Sequence, residues 1–107
     1  MNSEKRRFIA LHEWITEHNE EALTADGFDD AVIGMCQSFG KPPVVAYDRD
    51  KCIAIIIASS SNNDLTDEEA YDEAEEYFEF NVAGAYVGEN TPVFLTLFNK
   101  LTEGVRH

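Results

Sequence analysis

The stretch "HEWITEH", residues 12–18, carries the residue types of a zinc-dependent protease helix. Such a helix needs two histidines four residues apart, so that both reach one ion, and a glutamate directly after the first histidine. Here His18 follows His12 by six residues, which turns the second side chain about 120° away from the first in a helix. The two histidines do not share an ion easily, so we expect both to face solvent without a metal.

A looser match to a calcium-binding loop occurs at residues 62–73, "NNDLTDEEAYDE". Its first, third, fifth and twelfth positions carry Asn62, Asp64, Thr66 and Glu73. The sixth position of such a loop requires glycine for a sharp turn, and here it is Asp67. Thr66 and Glu69 also form a capping-box pair, which is typical of the start of a helix. The sequence therefore favours a helix N-terminus over a cation site.

Carboxylates that could act as an acid–base pair are spread along the first half of the chain: Asp26, Asp29, Asp30, Asp48 and Asp50. Nothing in their spacing fixes the distance between any two of them, and helix capping accounts for most. The chain contains no GxSxG, P-loop or GxGxxG motif, the patterns of common nucleophile and phosphate sites. We therefore predict no catalytic residue, no cofactor and no enzyme activity.

Charge is the most unusual property of the composition, because 21 acids against 8 bases give a formal net charge of −13. The hydrophobic content of 44% is ordinary for a folded domain. Such a surface repels nucleic acid and anionic membranes and attracts basic protein surfaces. No apolar run approaches the roughly 18 residues of a membrane span, and "MNSEKRRF" leads into no signal-peptide core. We therefore expect a cytoplasmic protein that contacts neither nucleic acid nor membrane directly.

The acids are concentrated at residues 67–79, a predicted amphipathic helix with eight carboxylates around an apolar stripe. No base occurs between Cys52 and Asn99, so this part of the chain supplies no counter-charge of its own. Acids recur four residues apart along the helix, and each like-charge pair costs about 0.3 kcal/mol. A solvated helix face would explain the acids alone, but the missing counter-charge favours a basic protein partner. The predicted contact residues are Glu68, Asp72, Glu75, Glu76 and Glu79.

Two further hypotheses concern the end of this helix. The segment "NVAGAYVGENTP", residues 81–92, contains two glycines and no base. It could line a pocket for a small molecule or a peptide, or simply connect a helix to a strand. The candidate pocket residues are Asn81, Tyr86, Glu89 and Asn90. Exposed aromatic residues between positions 77 and 86 would support a homodimer, alone or together with either other function.

Hydrophobic periodicity and turn signals predict an α+β fold, with three to four helices packed on a small two- or three-stranded sheet. Helices are predicted from Ser3 to about Leu23, from Asp26 or Gly27 to Phe39, and from residue 67 to about 85, the last ending at Gly84 or Gly88. Strands are predicted at 44–47 and 92–97. Residues 50–58 suit a buried helix or a buried strand. The chain forms one domain, with a helix in residues 1–24 that packs on it or stays peripheral, a core in 26–97 and a tail in 98–107.

The predicted hydrophobic core takes residues from each predicted element except the first helix. Its members are Phe28, Val32, Val45, Ile53, Ile56, Ala74, Phe78, Val82, Phe94 and Leu95. The two cysteines, Cys36 and Cys52, form no CxxC pair and no disulfide framework. We therefore expect both to be buried thiols.

Three segments, "DGFDDAVIG", "PPVVAYDRDKCIAIII" and "EEYFEFNVAGAYVGENTPVF", together resemble a family of small tailed-phage and prophage proteins without an established activity. The resemblance covers residues 26–94 and is most specific in the last segment. Relatives carry charged residues at helical spacing where this chain has residues 48–58, which implies a helix there. The resemblance also implies a phage or mobile-element origin, and with it the host cytoplasm as location. Small acidic phage proteins often bind a host protein, and several resemble DNA in charge. By that analogy we expect this protein to bind and modulate a host protein, with mimicry of nucleic-acid charge as one route.

Overall fold

The computed structural model describes residues 2–60, 64–85 and 87–98. In this part of the chain three α-helices accompany one three-stranded mixed sheet, which confirms the predicted α+β class. The helices are α1 (Ser3–His18), α2 (Arg49–Ser59) and α3 (Asp67–Phe78), and the strands are β1 (Val32–Cys36), β2 (Val44–Asp48) and β3 (Val93–Leu95). Most of the predicted tail, and Tyr86, lie outside the described residues.

Strand β2 is the centre of the sheet, antiparallel to β1 and parallel to β3. Its first four residues are all buried, which explains a continuous apolar run rather than an alternating one. The parallel pairing requires a long crossover, and here α2 and α3 lie within it. The predicted strands at 44–47 and 92–97 are thus confirmed, although β3 is only three residues long.

The predicted helix from residue 26 or 27 to Phe39 is wrong. A 3₁₀ turn at Asp29–Ala31 leads into β1, which pairs with β2. Val32 and Ile33 are β-branched, and Gly34 would weaken a helix interior by about 1 kcal/mol. Hydrophobic periodicity predicted a helix for this segment, but hydrogen bonding to the buried strand β2 favours the extended conformation of residues 32–36. A register shift between Val32 and Gly34 marks an irregularity of the kind a β-bulge makes.

The hairpin connection between β1 and β2 contains a tight turn at residues 38–41. The Lys41 amide donates to the Ser38 carbonyl at 3.0 Å, and Gly40 has φ +77°. A positive φ at the third residue is the requirement of a type II turn, which glycine meets without strain. Gly40 therefore serves a turn between two strands, directly after the segment that was predicted to be helical.

Strand β2 passes directly into α2 without a loop. Asp48 is the last residue of β2 and the N-cap of α2, and its carboxylate accepts from the Lys51 amide at 3.2 Å. Residues 50–58 are therefore helical, as the resemblance implied. Asp48 satisfies one of the free amides of the first helical turn.

Helix α3 begins at the predicted capping box. The Glu69 amide donates to the Thr66 hydroxyl at 3.1 Å, and the Thr66 amide donates to the Glu69 carboxylate at 2.9 Å. The α-helix ends at Phe78, earlier than predicted, and continues as a π-helical turn at Glu79–Ala83. Gly84 follows as the C-cap, at one of the two glycines expected to end the helix.

Helix α1 is also shorter than predicted, because Asn19 adopts an extended conformation directly after His18. The Asn19 side chain donates to the Pro43 carbonyl and to the Asn90 side chain, both at 2.9 Å. These bonds anchor the end of α1 to the two segments that lead into β2 and β3. The helix also packs through Ile15, which is buried, and Leu11, which is partly buried.

The core lies between β2 and the three helices. Five predicted members are buried: Phe28, Val45, Ile53, Ala74 and Phe78. Four are partly buried: Val32, Ile56, Val82 and Phe94. Leu95 is exposed, contrary to prediction, whereas Tyr47, Ile15 and Ala31 belong to the core without having been predicted, and Cys52 is buried as expected. Among the described residues, no helix combines the length and apolarity needed to cross a bilayer.

Candidate functional site

Five carboxylates on one side of α3 and its π-helical extension form the surface that we call the acidic face. Its members are Glu68, Asp72, Glu75, Glu76 and Glu79. At about 100° per residue these side chains fall within an arc of about 100°, directed away from the buried Ala74 and Phe78. Four are exposed and Glu75 is half-buried. The amphipathic pattern thus places all five predicted contact residues on one continuous surface.

Arg49, the first residue of α2, neutralises one edge of the acidic face. Its Nη2 lies 3.1 Å from Glu75 Oε2 and 3.3 Å from Glu79 Oε2, and the guanidinium sits 5.4 Å from the centre of the Phe78 ring. Burial lowers the pKa of Arg49, but the hydrogen bonds that its guanidinium donates to Glu75 and Glu79 outweigh this effect, and the pKa lies above its usual value. This counter-charge could not be predicted from the sequence, because Arg49 lies outside the acidic half of the chain.

The rest of the acidic face has no such partner. Glu68, Asp72 and Glu76 are exposed, and within residues 2–60, 64–85 and 87–98 none of them forms an ion pair. Glu69 serves the capping box, where the Thr66 amide lowers the pKa of its carboxyl group. The unpaired part of the acidic face is therefore narrower than predicted and centred on Asp72 and Glu76.

The connection at residues 81–92 was the alternative binding site, and two of its four candidate side chains bond within the fold. Asn81 Nδ2 donates to the Tyr77 carbonyl at 3.2 Å. The Asn90 side chain accepts from Asn19, and its carbonyl accepts from the Leu23 amide at 3.2 Å. Glu89 is exposed, and Tyr86 lies outside the described residues. The asparagines hold this connection in place, whatever else it binds.

Aromatic side chains at the end of α3 bear on the homodimer hypothesis. Tyr77 is 53% exposed and Phe80 is 78% exposed. Both lie in the predicted aromatic segment, and Val87 beyond it is exposed as well. Clustered exposure of large apolar side chains is typical of an interaction surface.

The two histidines of α1 occupy different environments. His18 is exposed, and its Nδ1 lies 2.9 Å from the Trp14 carbonyl. His12 is half-buried, contrary to prediction, with Nε2 3.1 Å from Asp29 Oδ2. Within the described part of the chain no three histidine, cysteine or acidic side chains cluster as a metal site would require. His12 instead contributes to the contact between α1 and the 3₁₀ turn.

Sequence analysis missed a groove between α2 and α3, which we call the α2–α3 groove. Its lining includes Ile55, Ile56 and Ile57 of α2, together with Ala70 and Tyr77 of α3. The signal was present as an isoleucine run longer than a single helix stripe can bury. The predicted core took Ile53 and Ile56 from this run, but the pattern did not indicate that other isoleucines of the run line a concave surface.

No family model matches this chain, and comparisons with curated proteins and with solved structures gave no match. The resemblance to tailed-phage proteins therefore stays a prediction, and function has to be argued from the surfaces described above.

Proposed function

We propose that this protein binds a basic surface of another protein through the acidic face of α3. The observation that supports this most is the pair Asp72 and Glu76, one helical turn apart, exposed, and without an ion-pair partner among the described residues. Like charges four residues apart disfavour the helix by about 0.3 kcal/mol. A basic partner would turn that unfavourable local repulsion into attraction.

Long-range attraction, rather than burial of the charges, would carry such binding. Exposed carboxylates contribute little to net affinity at physiological salt, but a surface of one sign raises the association rate and selects partners of the opposite sign. The net charge of −13 adds to this field. Nucleic-acid-binding proteins have basic surfaces of this kind, so a partner would meet the acidic face much as it meets a phosphate backbone.

A host protein is the partner class that the phage resemblance suggests. The function would then be modulation of a host nuclease, polymerase or other basic protein by occupying its charged surface. The acidic face supports the chemistry of this proposal, and the resemblance alone supports its biological setting.

The test compares two charge-reversal pairs of equal net charge. Asp72→Lys with Glu76→Lys alters the acidic face, whereas Glu13→Lys with Glu17→Lys alters exposed positions of α1 at the same spacing. Wild type and both variants are used as bait in a bacterial lysate at low and at high salt. We expect a dominant basic protein that binds wild type and the α1 variant at low salt, and that the α3 variant fails to retain.

A retained partner in the α3 variant would overturn the proposal, and so would loss in both variants, since net charge alone would then explain binding. Competition by duplex DNA against the purified partner tests the mimicry. If DNA does not displace this protein, binding through the acidic face stands and charge mimicry does not.

A homodimer is a second candidate, supported by the exposure of Tyr77 and Phe80. Burial of two such rings against a copy would stabilise association by several kcal/mol, about 25 cal/mol for each Å² removed from water. Sedimentation equilibrium of wild type and Phe80→Ser measures this directly. A wild-type monomer at high protein concentration would reject it.

A further inference from the structure

The α2–α3 groove is a concave surface of about 490 Å³, within the range of about 300–1,000 Å³ usual for binding sites. Its lining mixes apolar and polar residues, and the apolar share is the larger. Ile55, Ile56, Ile57 and Leu65 are only partly buried there, and the Tyr77 ring stands at one side. Apolar side chains left partly in water at a concave site are what a partner's apolar side chains can cover.

Two acidic side chains, both exposed, form the charged part of this lining, which we call the rim. Asp26 and Glu73 are exposed residues of the lining, and no described residue of the lining is basic. Helix α2 ends at Ser59 beside the groove, so the carbonyl groups of its last turn add the negative end of a helix dipole. The groove thus pairs an apolar interior with a rim that favours cations.

We propose that the α2–α3 groove binds an amphipathic, basic segment of a partner protein. Apolar side chains of that segment lie against Ile55, Ile56 and Ile57, and a lysine or arginine lies beside Asp26 and Glu73. This is the helix-in-groove mode of recognition, in which apolar anchors give affinity and flanking charges give selectivity.

Charge decides among the occupants of an apolar groove. A second copy of this chain would bring another net charge of −13 against an acidic rim, and an anionic ligand or membrane would be repelled in the same way. A neutral apolar ligand would leave Asp26 and Glu73 without a role. A basic amphipathic segment satisfies both the apolar walls and the rim.

The groove is independent of the acidic face. None of the five residues of the acidic face lines it, and α3 contributes Ala70, Glu73, Ala74 and Tyr77 instead. Glu73 projects about 160° round the helix from Glu75, on the flank opposite Arg49. The proposal therefore stands or fails without reference to binding through the acidic face, and these two surfaces have separate variants. Tyr77 belongs both to the groove and to the surface of the homodimer candidate.

The isoleucine methyl groups provide the measurement. The chain has seven isoleucines, of which three line the groove, while Ile9 and Ile33 are exposed elsewhere. The probe is a synthetic 18-residue peptide of leucine and lysine patterned as an amphipathic helix. Titration into protein with ¹³C-labelled isoleucine methyl groups should shift Ile55, Ile56 and Ile57 saturably and leave Ile9 and Ile33 unchanged. A matched peptide with glutamate in place of lysine should bind at least tenfold more weakly.

Two pairs of variants separate groove binding from general attraction to an acidic protein. Ala70→Leu fills the groove and should weaken the lysine peptide at least tenfold, whereas Ala54→Leu makes the same change at an exposed position of α2 outside the groove and should stay within threefold. Glu73→Lys should weaken binding more than Glu13→Lys, which changes the net charge equally at an exposed position of α1 outside both surfaces. Unchanged Ile9 and Ile33 methyl signals verify that each variant is folded.

Three results would overturn the proposal. Shifts at Ile9 and Ile33 equal to those in the groove would indicate diffuse attraction. Equal binding of the two peptides would remove the charge argument. Shifts of Ile55–Ile57 on simple dilution of the protein, without peptide, would assign the groove to a second copy of this chain.

Discussion

Arg49 and Glu75 join α2 to α3 across 26 residues of sequence, with Nη2 and Oε2 3.1 Å apart. Only 21% of the Arg49 side chain is exposed, and the guanidinium also approaches Phe78 of the core. The same arginine therefore supports the packing of the fold and removes part of the negative charge from the acidic face. Stability and partner binding should respond to it in opposite directions.

Replacement of Arg49 by methionine tests this opposition. The methionine side chain keeps most of the apolar contact that Arg49 makes with the core, but Glu75 and Glu79 lose their counter-charge. The free energy of unfolding should fall by about 1 kcal/mol, because both glutamates are substantially solvated. Affinity for a basic partner should rise at low salt, since the acidic face gains a net negative charge. Denaturant unfolding and titration with the captured partner measure the two effects.

Lys51→Met is the matched control for Arg49→Met. It removes the same charge from the same helix, but Lys51 is exposed and forms no ion pair with another described residue. Stability should change by less than about 0.5 kcal/mol. If both variants strengthen partner binding equally, net charge rather than the acidic face governs affinity.

The hydrogen bond between Asn19 and Asn90 should matter for stability rather than for ligand binding. Asn19 Nδ2 also donates to the Pro43 carbonyl, so one side chain ties the end of α1 to two distant segments. Asn90→Ala should lower the free energy of unfolding by about 1 kcal/mol, the usual net value of such a bond. Urea unfolding of Asn19→Ala, Asn90→Ala and the double variant gives the coupling free energy between the two side chains.

We expect a coupling of about 0.5 kcal/mol or more between Asn19→Ala and Asn90→Ala, because the pair is in direct contact. Glu89→Ala is the control, since Glu89 is the exposed neighbour. Additive effects would contradict a shared bond. An unchanged stability with Asn90→Ala would instead return this residue to the pocket hypothesis for residues 81–92.

Features that depend only on neighbouring residues could be predicted from the sequence. The capping box of Thr66 and Glu69 acts through neighbouring amides, so the sequence alone predicted the start of α3. Asp48 caps α2 in the same way, but the residue pattern left residues 50–58 open between helix and strand. The acidic face followed in the same way from helical spacing. The interactions that determine these features join residues within one or two helical turns of each other.

Features that depend on distant partners were missed. Residues 32–36 became β1 because β2 offered an unpaired buried edge, and no pattern within the segment records that edge. Tyr47 entered the core because its hydroxyl accepts from the Ala25 amide at 2.7 Å, a bond between segments that sequence does not bring together. Arg49 reached the acidic face for the same reason.

The close approach at Gly84 predicts a penalty for any larger residue. Its φ of −77° suits every amino acid, but a Cβ atom there would lie 2.8 Å from the Glu79 carbonyl oxygen. Gly84→Ala should therefore destabilise the protein by about 1–3 kcal/mol, although glycine-to-alanine changes at unstrained sites stabilise by about 0.4–1 kcal/mol. Thermal unfolding of Gly84→Ala, with Ala85→Ser as the control, decides between these two effects. A higher unfolding temperature of Gly84→Ala than of wild type would contradict the close contact.

Cys52 should behave as an inert thiol whose ionisation opposes folding. Burial, with a smaller contribution from the Asp48 charge, raises the pKa of Cys52 to about 11, whereas Cys36 is only half-buried. In a Cys36→Ser variant at pH 8, a thiol reagent should therefore modify Cys52 only in denaturant. Fast modification without denaturant would contradict its burial.

The raised pKa of Cys52 also fixes how stability depends on pH. The folded state holds its thiol proton up to a pKa of about 11, but the unfolded chain releases it from about pH 8.5 upwards. The stability that the neutral thiol contributes is thus fully present below the unfolded pKa and is lost between about pH 8.5 and 11, by roughly 3 kcal/mol. Cys52→Ala removes this group while leaving the other titrating residues in place. The stability difference between wild type and Cys52→Ala should therefore shrink as pH rises through this window, and a constant difference would show that Cys52 does not titrate as its burial requires.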